Sequence, residues 1–294
     1  MIFLSNLVNG LSLGSVYAII ALGYTMVYGI SKMLNFAHGD VIMIGAYISF
    51  CATSYLHLNP WLALLMAVAV CTVMGILIEG LAYKPLRGTS SLAVLITAIG
   101  VSYFLQNSAL LIWGSAPKVF TSIVSGSKGI RLFDGQLTIT AEAILTMIAA
   151  IIIMVCMTLF TSGTKMGKAM RAVSEDNGAA QLMGINVNST ISMTFAIGSG
   201  LAAIAGVLLC SSYPALMPTT GAMPGIKAFT AAVFGGIGSI PGAMLGGILL
   251  GIIEIFGRAY ISSELSDAIV FGVLIIVLLV KPTGLLGKTR MEKV

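Results

Sequence analysis

The chain has 294 residues, of which 58% are hydrophobic and only 9% are charged, and its mean hydropathy is +1.04. Soluble domains are about 45–50% apolar and about 25% charged, so this composition excludes a soluble protein and predicts a multi-pass membrane protein. The net charge of +5 is spread over the ends of apolar runs, and no basic block indicates a nucleic-acid partner.

The apolar runs predict an all-α bundle of about eight or nine membrane segments, forming one domain over 1–294. A helix needs about 20 residues to cross the hydrocarbon core, and Gly, Pro, Asn and His signals divide the runs. The predicted segments are 4–28, 41–56, 61–82, 91–113, 141–161, 187–210, 226–240, 242–257 and 265–281. The second and the seventh are short, and either can be re-entrant or a broken helix that lines a cavity.

The stretch Asn35-Phe36-Ala37-His38-Gly39-Asp40 joins the first two segments. Asn35, His38 and Asp40 are candidates for a translocation path. The alternative is structural, because Asp40 directly before an apolar run is a natural N-cap and a lone His is more often structural. A second break, GGIGSIPGA at 235–243, predicts a tight turn between segments seven and eight.

Small residues recur four positions apart in the first and eighth segments. Gly10, Gly14 and Ala18 share one helix face, and Gly242/Gly246 and Gly247/Gly251 form two GxxxG patterns. Such ridges allow helices to approach closely, so they predict packing rather than chemistry.

Three ionisable residues, Glu79, Glu254 and Arg258, are predicted at or near the ends of segments. An ionisable group inside a segment is by default a functional hypothesis. Because all three can snorkel to an interface, a structural role is the favoured interpretation. Glu254 and Arg258 are four apart and can pair on one helix face.

Positive charge predicts the orientation. With nine segments and an extracytoplasmic N-terminus, ten Lys and Arg residues fall in the inner loops near 29–40, 83–90, 162–186 and 236–241 and in the tail from Lys281. Five remain outside, namely Lys118, Lys128, Arg131, Lys227 and Arg258. The positive-inside rule therefore places the C-terminus in the cytoplasm.

The extracytoplasmic loop 114–140 is long, and it contains Asp134-Gly135 between two alternating stretches. Asp-Gly in this setting is a good β-hairpin signal. Such a hairpin can receive a partner or can simply cover the helix ends.

A charged, Ala-rich stretch interrupts the apolar sequence within the cytoplasmic loop 162–186. Asp176 can cap a short helix over 177–183, with Gly184 as its stop, and Met170 and Val173 share a face of the preceding helix. This pattern predicts either a helix on the membrane surface or a helix that docks on a cytosolic protein.

Motifs of catalysis and of nucleotide binding are missing from the sequence. There is no GxSxG, HExxH or carboxylate pair, and Gly287-Lys288-Thr289 is not a P-loop because Pro282 stands where the first Gly is required. We therefore expect a non-enzymatic chain without a metal or a cofactor.

The cytoplasmic loop resembles the EAA-x-x-x-G loop of ABC importer permeases, with Gly178-Ala179-Ala180-Gln181-Leu182-Met183-Gly184 in place of the motif; the leading Glu is Gly178 here. The resemblance to the LivH-type branched-chain amino-acid permeases is more specific. It includes MRAVSEDNGAAQLMGINV in this loop, NGLSLGSVYAIIALGYTMVYGISKMLNFAHGDVIMIGAY near the start and AFTAAVFGGIGSIPGAMLGG near the end.

This resemblance implies a subunit of an importer for leucine, isoleucine or valine in the inner or plasma membrane. The implied partners are a second, LivM-type permease, two cytosolic ATP-binding subunits and an extracytoplasmic substrate-binding protein. The implied coupling residues in the loop are Arg171, Glu175, Asp176, Ala179, Ala180 and Gly184.

Two alternative functions remain open from the sequence. Permeases of the same wider group carry urea, short amides, other amino acids or sugars. The identity of the substrate is therefore inferred from the resemblance alone. An ATP-independent secondary carrier is the other alternative, but such carriers tend to show intramembrane acids and inverted repeats.

Overall fold

A computed structural model describes residues 2–124, 129–132 and 137–287. Within these residues the chain forms eleven α-helices. They are α1 Ile2–Ser31, α2 His38–Ser54, α3 Pro60–Ile78, α4 Ser91–Trp113, α5 Ala141–Gly163, α6 Lys165–Glu175, α7 Asn177–Leu182, α8 Val187–Ser212, α9 Ala222–Gly235, α10 Ile240–Tyr260 and α11 Ser266–Val280. A π-helical turn, Glu79–Tyr83, and a 3-10 turn, Lys84–Leu86, extend α3.

Six of the described helices are long and apolar enough to cross a membrane: α1, α3 with its extension, α4, α5, α8 and α10. The helices α2, α9 and α11 are shorter, with 17, 14 and 15 residues. The predicted polytopic helical class is therefore confirmed, and the two segments predicted to be short correspond to α2 and α9.

Four short strands occur among the described residues. Strands β1 (Lys118–Val119) and β4 (Ala215–Leu216) pair antiparallel, as do β2 (Ile130–Leu132) and β3 (Leu137–Ile139). The turn predicted at Asp134-Gly135 lies outside the described residues.

Helix α1 is the central element of the bundle, and nearly all of its length is buried. It packs antiparallel on α10, where Gly14 meets Gly251 and Ala18 meets Gly247 so closely that neither α10 glycine has room for a Cβ. The predicted face of α1 and the Gly247/Gly251 pattern therefore form the contact between these helices, whereas Gly242/Gly246 packs on α9.

The loops gather at two ends of the bundle. At the first, which we name the Lys32 end, Gly29 approaches Gly238 and the backbone of 285–286 bonds to the last residues of α9; the start of α8 also lies there. At the other, the Pro214 end, β1 pairs with β4 and Phe120 N–H donates to the Pro214 carbonyl at 2.9 Å.

Two of the short helices begin inside the bundle. The imidazole of His38 contacts Gly23, which lies eight residues before the end of α1 and so about 12 Å from the Lys32 end. The backbone of Gly39 in turn contacts Gly221 and Gly225 at the start of α9. From this shared depth, α2 runs to the Pro214 end and α9 runs to the Lys32 end, which explains why each is short.

Candidate functional site

The loop between α5 and α8 consists of two capped helices at the Lys32 end. The Thr164 hydroxyl accepts a hydrogen bond from Gly167 N–H at 3.0 Å at the start of α6. Asp176 Oδ1 accepts from Gly178 N–H at 2.7 Å and from Ala179 N–H at 3.0 Å at the start of α7. Gly184, with φ of +82°, follows α7 in the left-handed conformation that glycine adopts without strain.

One side of this loop packs on the bundle and the other faces outward. Met170, Val173 and Ala180 are buried, whereas Leu182 and Met183 are 91% and 82% exposed. The remaining residues predicted for coupling, Arg171, Glu175, Asp176, Ala179 and Gly184, are exposed. Leu182 and Met183 were not among the residues predicted for coupling, although two consecutive apolar residues in a polar loop are a usable signal.

A cavity of about 340 Å³ lies beside this loop at the Lys32 end. Its lining brings together the end of α1, the turn before α4, the start of α7 and the start of α8, through Ser31, Arg87, Asn177 and Asn188 among others. Movement of α7 would therefore act directly on the residues that close this end of the bundle.

Of the residues predicted for the translocation path, Asn35 lies in the loop before α2. It is buried, and its Oδ1 accepts a hydrogen bond from the Tyr83 hydroxyl at 2.9 Å. Tyr83, at the end of the π-helical turn, packs its ring 5.2 Å from that of Phe195 on α8. The contact ties the loop before α2 to the extension of α3 and to α8.

His38 is buried between α1 and α8. Its ring fits against Gly23 and approaches Gly198, and it lies 4.5 Å from the Tyr24 ring. Its Nε2 has no hydrogen-bond partner within the described part of the chain. Gly23 is required here, since a Cβ at that position would overlap the imidazole.

Asp40 does not cap α2, so the N-cap expectation is wrong. The helix begins two residues earlier, at His38, and Ala37 occupies the cap position. Asp40 instead faces α4, where its Oδ1 accepts a hydrogen bond from Gln106 Nε2 at 2.8 Å, and Gln106 also reaches Ser102 Oγ at 3.3 Å. Asn35, His38 and Asp40 thus lie close in sequence and face three different neighbours.

The snorkelling expected for Glu79 is also wrong. Its carboxylate is buried, where it pairs with the Arg87 guanidinium and accepts a hydrogen bond from Ser192 Oγ at 2.5 Å. Arg87 also bonds to Asn188. The network connects the end of α3 to the start of α8 at the Lys32 end.

Glu254 forms the centre of a larger buried network, and for it too snorkelling is wrong. Its carboxylate accepts from Lys227 Nζ and from the Tyr17 hydroxyl, both at 2.8 Å, and also pairs with Arg258. Lys227 was expected in an outer loop, but it lies buried in α9 and bridges Glu254 to Asp267 Oδ1 at 2.6 Å. The spacing of Glu254 and Arg258 was a correct signal for part of this network.

Buried ionic groups, two half-length helices that meet inside the bundle and six span-length helices define a multi-pass membrane protein of the transporter class. The sequence profile of the family described as "Branched-chain amino acid transport system / permease component" matches residues 6–278. The chain belongs to this family and is a non-catalytic permease component.

Curated relatives match over nearly the full length. The chain is 47% identical to the high-affinity branched-chain amino acid transport system permease protein BraD of Pseudomonas aeruginosa, with 99% of this chain and 98% of BraD covered. It is 46% identical to the corresponding protein LivH of Escherichia coli (strain K12), with the same coverage. The permease LivM of that organism is 26% identical, with 96% of this chain and 70% of LivM covered.

Proposed function

We propose that the chain is one of two membrane-spanning subunits of an ATP-driven importer that carries leucine, isoleucine or valine into the cell. The family match over residues 6–278 carries this proposal. The partners are a second permease of the LivM type, two cytosolic ATP-binding subunits and an extracytoplasmic substrate-binding protein. ATP is hydrolysed by the separate subunits.

The Lys32 end faces the cytoplasm in this proposal. Seven basic residues of the described chain belong to that end: Lys32, Lys84, Arg87, Lys165, Lys168, Arg171 and Lys281. Three belong to the Pro214 end: Lys118, Arg131 and Arg258. The excess of positive charge supports a cytoplasmic Lys32 end by the positive-inside rule, and with it an extracytoplasmic N-terminus.

The loop 162–186 docks on an ATP-binding subunit. Leu182 and Met183 support this role, because two nearly fully exposed apolar side chains beside a rigidly capped helix form a suitable anchor for a groove on a partner. The cavity with Arg87 and Asn188 lies directly behind α7 and offers a route from the docked loop to α3 and α8.

The docking role is tested with Leu182→Asp/Met183→Asp in the complete importer. We expect the ATP-binding subunits to be lost from the purified complex and leucine uptake to fall by more than about tenfold, as expected for the loss of an apolar anchor. Gln181→Glu, an exposed change on the same helix, is the matched control. Normal uptake in the double variant would refute docking through these residues.

The translocation path passes the depth at which α2 and α9 begin. Asn35, His38 and Asp40 lie there as buried polar side chains, and polar residues at membrane depth usually mark substrate pathways. Half-length helices that start near the midplane are a recurring way to build such a site. The His38→Ala variant tests this assignment. If it keeps wild-type uptake and affinity, His38 is not part of the path.

A further inference from the structure

Three carboxylates are buried among the described residues, and they differ in what neutralises them. Glu79 pairs with Arg87, and Glu254 pairs with Lys227 and Arg258. Asp40 has no Lys or Arg partner in the described part of the chain. Its partners are neutral groups, namely the Gln106 amide and the nearby Ser102 hydroxyl.

Asp40 lies inside the hydrocarbon core. Its partner Gln106 lies 15 residues after the first residue of α4 and 7 residues before its last, which corresponds to about 22 Å and about 10 Å along the helix. The hydrocarbon core is about 30 Å thick, so this pair lies within it, nearer to the Pro214 end. A carboxylate that is ionised in such a position is neutralised by a cationic group in some state of the transporter.

The wall that covers Asp40 carries polar groups on its outer side. Gln106 is only partly buried, and the next residue, Asn107, is exposed and donates to the Tyr103 carbonyl of its own helix at 2.8 Å. Gly100 on the same helix is exposed and has open space around it. The outward side of α4 is otherwise apolar here, with Tyr103, Phe104 and Leu111 exposed, so Gln106 and Asn107 are isolated polar positions on it.

We propose that Asp40 binds the α-ammonium group of the amino-acid substrate during translocation, after Gln106 swings away from it. This inference rests on the proposed function and adds the chemistry of recognition to it. An ammonium group donates three hydrogen bonds. The two carboxylate oxygens of Asp40 and the nearby Ser102 Oγ supply three acceptors within one cluster. The ammonium group also neutralises Asp40, which is the one buried carboxylate without a cationic partner among the described residues.

The test compares two charge changes in the assembled importer. Asp40→Asn keeps an oxygen that can accept from Gln106 and removes only the charge. Gln106→Lys keeps Asp40 and places a permanent ammonium beside it. Gln106→Met removes the amide without adding charge and is the matched control. The measurements are leucine uptake at matched expression and ATPase activity of the purified complex stimulated by the binding protein.

We expect Asp40→Asn and Gln106→Lys each to lower uptake by about tenfold or more, because a charge-assisted hydrogen bond contributes at least that factor. Stimulated ATPase activity should persist, and Gln106→Met should retain most of the uptake. This readout separates recognition from a structural role, since a misassembled complex would lose stimulation as well.

Wild-type uptake in either Asp40→Asn or Gln106→Lys would overturn the inference. So would failure of both variants to assemble, because Asp40 would then serve only to hold α2 on α4. A wild-type complex that imports no branched-chain amino acid would instead contradict the proposed function. Import of a different amino acid would leave the ammonium site intact and change only the substrate.

Discussion

Asp40 on α2 and Glu254 on α10 are both buried acids, and their surroundings are opposite. Glu254 meets two cations and a tyrosine hydroxyl, and one of the cations, Lys227, also pairs with Asp267. Asp40 meets an amide and a hydroxyl. The first arrangement satisfies its charges within the fold and connects four helices, whereas the second leaves a charge for something that the fold does not contain. Burial alone therefore does not distinguish a structural acid from a functional one, but the charge of the partners does.

The largest effect is expected for Glu254→Gln. The amide leaves the buried Lys227 with only the partly exposed Asp267 to neutralise it, whereas Arg258 is 41% exposed and can turn toward water. Removal of one partner from a buried ion pair costs about 3–5 kcal/mol. Thermal unfolding of the purified protein in detergent measures this loss.

The control for Glu254→Gln is the pair Glu254→Gln/Lys227→Met, which removes one charge of each sign. We expect the double variant to be more stable than the single one, because it leaves no excess buried cation. If the single variant unfolds at the wild-type temperature, the network does not hold the helices together.

A smaller loss is expected for Glu79→Gln. Its partner Arg87 lies at the Lys32 end and is 19% exposed, so the guanidinium can turn toward water when the carboxylate is lost. Removal of a charged hydrogen-bond partner costs about 1.5–3 kcal/mol. The comparison with Glu254→Gln in the same unfolding assay shows how much access to water reduces the penalty. Equal losses would contradict this explanation.

Tyr83→Phe should cost less again. It removes the hydroxyl that donates to Asn35 and preserves the ring that packs on Phe195. A single buried neutral hydrogen bond contributes about 0.5–1.5 kcal/mol. Asn35→Ala provides the other half of a double-mutant cycle, and additive losses would show that the two side chains do not interact.

Much of the fold follows from the sequence because it depends on local patterns. Apolar run length predicts the segments, and four-residue spacing predicts the small-residue faces through which α1 and α10 meet. Asp176 and Gly184 mark α7, since a cap and a left-handed glycine are local signals. Orientation and the roles of the loop residues stay predictions.

Most partners of the buried acids could not be predicted from the sequence, because they are far away along the chain. Tyr17 and Glu254 are 237 positions apart, and periodicity gives the face of a residue but not its neighbour. The stretch 35–40 was predicted to join the first two segments, whereas its residue Gly39 lies inside α2 and allows the backbone at the start of α9 to approach. This shift moved Asp40 from an expected cap to a position facing α4.

The smallest effect on stability is expected for Asp40→Asn, which can be compared directly with Glu254→Gln. Both Asp40→Asn and Glu254→Gln replace a buried carboxylate by the amide of the same shape. At position 40 the amide oxygen still accepts from Gln106, and no cation loses its partner, so we expect the free energy of unfolding to change by less than about 1 kcal/mol. A loss comparable to that of Glu254→Gln would mean that the charge of Asp40 is compensated within the folded chain. A near-neutral change in stability, together with lost uptake, would mean that its partner arrives with the substrate.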